Sequence, residues 1–234
     1  MKKPEYQIDD LKSTIKSFVE ADYNDRNGRY KSWDFCYNHF RKLFKKRRVS
    51  PAEKRQAALV LAFYLASWGM YRGSSFLLKA YTYTVHIKTI GILLEKKDLL
   101  KKRYIKKENK KDLDELFKLI KKLRKHYNNL KKKADEKEKI SKKNTDTSDT
   151  LISKIIMGTS GLIPAYDRNV KKALREKHIC QTLSQDKYIQ IIQLFEDNEK
   201  NIKDLRRTYP KVKIYPPMKI LDMYLYEKGS RIKD

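Results

Sequence analysis

Glycine and proline are scarce in this chain, with seven and six among 234 residues. Its two cysteines, Cys36 and Cys180, lie far apart. That count excludes a disulfide framework and an iron–sulfur cluster held by four thiolates, and the spacing excludes a CxxC zinc pair; a reducing, cytoplasmic setting is expected. The four histidines, at 39, 86, 126 and 178, show no HxxxH or HxE spacing, so no metal site is expected. Neither GxxxxGK[ST] nor GxGxxG occurs, which removes phosphate-loop and dinucleotide chemistry. No cofactor is expected. The longest apolar run, "ALVLAFYLASWGM", is too short and too aromatic to span a bilayer. The start, "MKKPEYQIDD", lacks the apolar stretch of a signal peptide, so no membrane association is expected.

Negative charge is also in short supply. Asp and Glu number 29 against 56 Lys and Arg, a formal net charge of +27. A field of that sign favours polyanions, nucleic acid first among them. Codon drift in an AT-rich genome would be another source of lysine excess. Three basic runs carry the excess: "RKLFKKRR", "KKDLLKKRYIKK" and "KKLRKHYNNLKKK". Each alone reads equally as a solvated helix face. Together they suggest a surface that tracks a nucleic-acid backbone through Lys46, Arg47, Arg48, Lys101, Lys102, Arg103, Lys121, Lys122, Arg124 and Lys125. None holds a base-reading signature, so binding should be sequence-independent and salt-sensitive.

Helical periodicity dominates. Ile8, Leu11, Ile15, Phe18 and Val19 share one face, as do Trp33, Tyr37, Phe40 and Phe44. "SPAE" at 50–53 is a capping box with proline at the first helical position. The following helix is apolar nearly all round, which predicts a central element. "YTYTVHIKTI" alternates like a strand, but its surroundings favour helix. Leu113, Leu116, Phe117, Ile120 and Leu123 form one stripe of a long amphipathic helix, followed by a stretch over 132–147 that should be exposed and mobile. Ser184 reads as a helix cap, Pro216–Pro217 as a helix start and Gly229 as its stop. An all-α compact domain of about ten helices is expected. Residues 1–95 form its N-terminal part, 96–148 a basic helical insertion with a polar linker, and 149–234 its C-terminal part.

Against the shortage of glycine and proline, "GTSGLIPAYDRNV" at 158–170 concentrates two glycines and a proline before Asp167. Asp is a favoured helix N-cap, and glycine stops a preceding helix. The same geometry can serve chemistry. Backbone can approach a ligand at Gly158 and Gly161. Lys154 lies close enough upstream for the loop to fold it toward Asp167. A carboxylate and an amine facing one cleft suit glycosidic-bond cleavage, the carboxylate stabilising an oxocarbenium-like transition state and the amine attacking C1′. "LASWGMYRGSSFLL" places Trp68, Tyr71 and Arg72 beside small residues, which fits either a helix corner or a pocket wall for stacking and phosphate contact.

The segment "SKIIMGTSGLIPAYDRNV" resembles the helix-hairpin-helix (HhH-GPD) DNA glycosylases, in their run from a lysine-bearing helix to the catalytic aspartate. The resemblance covers about 25 residues. It implies that Asp167 is the catalytic aspartate and that Lys154 holds the position of the Schiff-base lysine of bifunctional members. It also implies an all-α fold and a flipped-out base, with no metal or nucleotide cofactor. Trp68, Tyr71, Arg72, Tyr166, Gly158 and Gly161 would line the base pocket, and double-stranded DNA would be the partner of a monomer. The LPGxG-type turn that precedes the lysine in that family is replaced here by "NTDTSDTLISK". Two other classes stay open: a non-catalytic helical nucleic-acid-binding protein for DNA or RNA, RNA-directed or part of an antiviral or phage-encoded system, and a protein–protein adaptor using the 112–134 helix.

Overall fold

The computed structural model describes residues 6–23, 28, 30–73, 75–137 and 146–233. These form twelve α-helices and two single 3-10 turns, with no strand among the described residues. The first half holds α1 (Leu11–Tyr23), α2 (Lys31–Lys45), α3 (Pro51–Ser67), α4 (Phe76–Ala80), α5 (His86–Leu94) and α6 (Lys97–Leu100). The second holds α7 (Lys110–Lys137), α8 (Asp149–Thr159), α9 (Arg168–Glu176), α10 (Gln185–Asp197), α11 (Glu199–Thr208) and α12 (Pro217–Arg231).

Local chemistry sets several of these boundaries. Ser50 Oγ accepts from Glu53 N–H at 3.2 Å while the Glu53 carboxylate accepts from Ser50 N–H at 2.8 Å. That reciprocal box starts α3. Beyond Trp68 the chain turns at Gly69, whose φ of +76° suits glycine. "YTYTVHIKTI" becomes a 3-10 turn at Tyr83–Val85 followed by α5. Ser184 precedes α10, but its hydroxyl donates to Asp186 and does not cap the helix backbone.

α3 packs against α2, α5 and α8, and α12 runs along α9 and α1. The apolar faces read from the sequence for α1 and α2 are buried. α3 is less enclosed than its composition implies: Leu59 and Phe63, one turn apart, are more than half exposed. α12 also departs from expectation, because Gly229 lies inside it and does not end it. A Cβ there would fall within 2.5 Å of the Asn169 carbonyl carbon, so the glycine permits close contact with α9.

The basic segment 96–148 is built into the same core. α7 packs on α4, α5, α8 and α10, and its buried Leu113, Leu116, Leu119, Ile120, Leu123 and Tyr127 join the residues of both other parts. The stretch 132–147 is not exposed throughout. Residues 132–137 continue α7 with Ala134 buried, Thr147 is buried, and 138–145 lie outside the described residues. The N-terminal segment is also tied to the junction of α10 and α11. Asn198 accepts from Ile8 N–H at 2.8 Å and donates to the Tyr6 carbonyl. No helix is long and apolar enough to cross a membrane among the described residues. Both cysteines are free thiols.

Candidate active site

The loop after α8 is buried from Ser160 to Tyr166. A buried loop must find partners for its peptide groups. Here side chains from three helices supply them. Ser153 Oγ accepts from Tyr166 N–H at 2.8 Å, and Thr150 Oγ1 donates to the Tyr166 carbonyl at 2.8 Å. Asp222 Oδ1 accepts from Ala165 N–H at 2.8 Å, and the Tyr188 hydroxyl donates to the Leu162 carbonyl at 2.5 Å. The result is a rigid arm that ends on Asp167.

Asp167 caps α9, its Oδ1 accepting from Val170 N–H at 3.1 Å. Its second oxygen lies 3.5 Å from Lys154 Nζ, with side-chain exposures of 14% and 6%. Both residues border a cleft of about 920 Å³. Trp68 and Arg72 form part of the same wall, and Phe76, Lys131, Arg168 and Tyr226 also line it. The capping and cleft-facing roles of Asp167 therefore coexist. Lys154 Nζ also donates to the Trp68 carbonyl at 2.9 Å and lies 5.7 Å from the indole centroid. Burial pushes the Lys154 amine below its ordinary range, Asp167 and then Asp222 push it back up, and Arg72 adds a small downward push.

Behind this pair lies a second one absent from the sequence reading. Lys219 and Asp222 in α12 approach to 3.2 Å with side-chain exposures of 7% and 10%. Lys219 Nζ lies 4.9 Å from the Trp33 ring and 5.6 Å from the Trp68 ring. Among the described residues, two lysines and one carboxylate are buried, and all three belong to this cluster. A Lys-x-x-Asp spacing inside an otherwise apolar helix was the available signal.

Other candidate residues point elsewhere. Gly158 sits inside α8, where a Cβ would clash with the Tyr64 ring. Gly161 takes φ +66° and packs on Pro216. These glycines serve helix and loop packing, and neither borders the cleft. Tyr166 is fully buried away from it. Tyr71 turns toward α5, its hydroxyl 2.6 Å from His86 Nε2, while His86 Nδ1 lies 2.6 Å from the Tyr127 hydroxyl. Burial of that chain lowers His86 to about 3, so its imidazole is neutral near pH 7.

Several basic residues are tied within the fold. Arg103 donates to the carbonyls of Ile214 and Tyr215 at 3.0 and 2.6 Å. Arg124 bonds Asp149 at 2.6 Å and the Thr147 carbonyl at 3.0 Å, joining α7 to the start of α8. Lys46, Lys102 and Lys122 pair with Glu53, Asp112 and Glu95, and Lys101 with Asp98 at 2.5 Å. Such surface pairs are weak and leave the charge accessible. Arg47, Arg48, Lys121 and Lys125 stand exposed. No group of three or more His, Cys, Asp or Glu side chains is arranged to hold a metal ion among the described residues. No family model, curated protein or solved structure matches the chain.

Proposed function

We propose that the protein binds nucleic acid, most simply duplex DNA, and cleaves the N-glycosidic bond of a base turned out into the cleft. One observation carries this reading: Lys154 and Asp167, 3.5 Å apart, border a cleft whose wall includes Trp68 and Arg72. The Asp167 carboxylate faces the sugar, stabilises positive charge at C1′ as the bond to the base lengthens, and orients the water that adds there. Lys154, desolvated and lowered, is the alternative attacking group. To attack, it must exchange its bonds to Trp68 and Asp167 for the substrate. Trp68 offers a stacking face and Arg72 a phosphate contact. The exposed Arg47, Arg48, Lys121 and Lys125 supply sequence-independent attraction.

The test incubates purified protein with duplexes carrying damaged or modified bases and assays abasic sites. Base release by the native chain and its loss in Asp167→Asn are expected. Release that survives Asp167→Asn refutes the assignment. A second reading, salt-dependent binding without catalysis, is favoured by the engagement of both Asp167 oxygens within the fold. It predicts binding with no base release from any duplex. The adaptor reading would have to use the polar face of α7, because the helix's apolar stripe packs into the core.

A further inference from the structure

The second buried ion pair has a place in this site. Asp222 touches the arm that presents Asp167, since its Oδ1 holds the Ala165 N–H two residues before the carboxylate. Its other oxygen meets Lys219 at 3.2 Å. A small chamber of about 10 Å³ lies between the two pairs, bordered by Lys154, Asp167, Lys219 and Asp222. That volume suits about one water molecule, which here would find four polar partners. Tyr64 and Tyr226 also border the chamber. Burial raises the Asp222 carboxyl, and the Asp167 charge adds to that rise, while Lys219 and the Ala165 N–H oppose it. The Asp222 charge in turn favours the charged form of Lys154.

We propose that Asp222 is a positioning residue for the Lys154–Asp167 pair, acting on Asp167 through the Ala165 peptide and on Lys154 through its charge. Lys219 keeps that charge compensated inside the fold. The inference rests on the cleft being the reactive centre, but its test does not require turnover. Asp222→Asn keeps an oxygen for Ala165 N–H and removes the charge. Asp222→Ala removes both.

The experiment labels lysine side chains with ¹³C at the ε position in the full chain and titrates them by NMR, assigning Lys154 through Lys154→Arg. The groups facing Lys154 are Asp167 from α9, Asp222 and Lys219 from α12 and Arg72 from the 69–75 turn. In Asp222→Asn the midpoint of the Lys154 titration should fall by about 0.5 pH unit or more, as expected on losing a nearby carboxylate. The exposed Lys125 should not move. In Asp222→Ala the amide signals of residues 165–167 should shift as well. If Asp222→Asn does not fold, the paired variant Lys219→Met/Asp222→Asn, which leaves no lone buried charge, is titrated against Lys219→Met, so that loss of the Lys219 charge is common to both. A Lys154 midpoint unchanged from the reference chain, native or Lys219→Met, overturns the proposal. A shifted midpoint with no base release by the native chain supports the positioning role and refutes the glycosidase reading, so the two failures are separable.

Discussion

Replacing Gly229 by alanine should destabilise the protein, against the ordinary preference of helices. In an exposed helix interior, Gly→Ala gains about 1 kcal/mol. Gly229 is buried in the last turns of α12, and the new methyl would stand within 2.5 Å of the Asn169 carbonyl carbon. The obstacle is backbone, which cannot swing aside as a side chain can, so α12 and α9 must separate. Overpacking of this kind costs about 1–3 kcal/mol, which outweighs the propensity gain. For a chain of this size each kcal/mol lowers Tm by about 2–4 °C, so a fall of several degrees is expected in thermal circular dichroism. Gly91→Ala is the matched control. Gly91 also lies inside a helix, α5, but nothing stands within 4 Å of its Cβ position, so alanine should raise stability by up to about 1 kcal/mol. If Gly229→Ala stabilises as Gly91→Ala does, the close approach of α12 to α9 is wrong, and with it the seating of the Asp167 cap.

Three further predictions concern buried charge. His86, lowered to about 3, takes up its proton later in the folded than in the unfolded chain, so its contribution is full above about pH 6.5 and is lost as pH falls toward 3, at about 1.4 kcal/mol per pH unit. Urea midpoints of His86→Gln should fall less steeply than those of the native chain from pH 6.5 to 4, and parallel curves would refute this. Asp34, raised to about 6 by burial and bonded by the Tyr215 hydroxyl at 2.7 Å, has the opposite sign. Its stability contribution is full below about pH 3.8 and lost as pH rises through 6, so Asp34→Asn should gain about 1–2 kcal/mol on the native chain between pH 4 and 7, after discounting for solvent screening. A constant difference across that range would show that Asp34 titrates normally. In a double-mutant cycle by urea unfolding, Lys154→Met and Asp167→Asn should couple by about 1–3 kcal/mol, and additive losses would remove the ion pair from the account.

The features legible in the sequence are those whose cause lies within one or two helical turns. The capping box at Ser50, the Asp167 cap and the apolar faces of α1, α2 and α7 all needed only local spacing. Roles that depend on a distant partner were hidden. Gly158 looked like part of a loop because nothing near it indicates that Tyr64 will press on it. Gly229 looked like a helix stop for the same reason, its partner being Asn169. Tyr71 read as a pocket residue, but the imidazole and phenol that draw it inward come from α5 and α7. Lys219 and Asp222 have the spacing of an ordinary surface pair, and only the docking of α12 onto Trp33 and Trp68 buries them. Lys154, Asp167, Trp68 and Arg72 were all named from the sequence, but their meeting in one cleft depends on α3 packing against α8 and on the buried arm that holds Asp167 beside them.

The distribution of lysine separates composition from purpose. Codon drift can spread lysine over a surface, because an exposed lysine costs the fold little. It does not account for lysines taken out of water, since removing an ion from solvent costs several kcal/mol before any partner offsets it. A hydrophobic residue of similar volume would often serve stability as well or better. Yet the two buried lysines among the described residues lie near the same indole, each with its own aspartate, one pair at the wall of the cleft and the other behind it. A fold with so much surface available to cations has no packing need to place two of them there. What the placement does supply is a desolvated amine and an oriented carboxylate at the cleft with a compensated pair behind them, and it is on this arrangement that the proposed glycosidic reading rests.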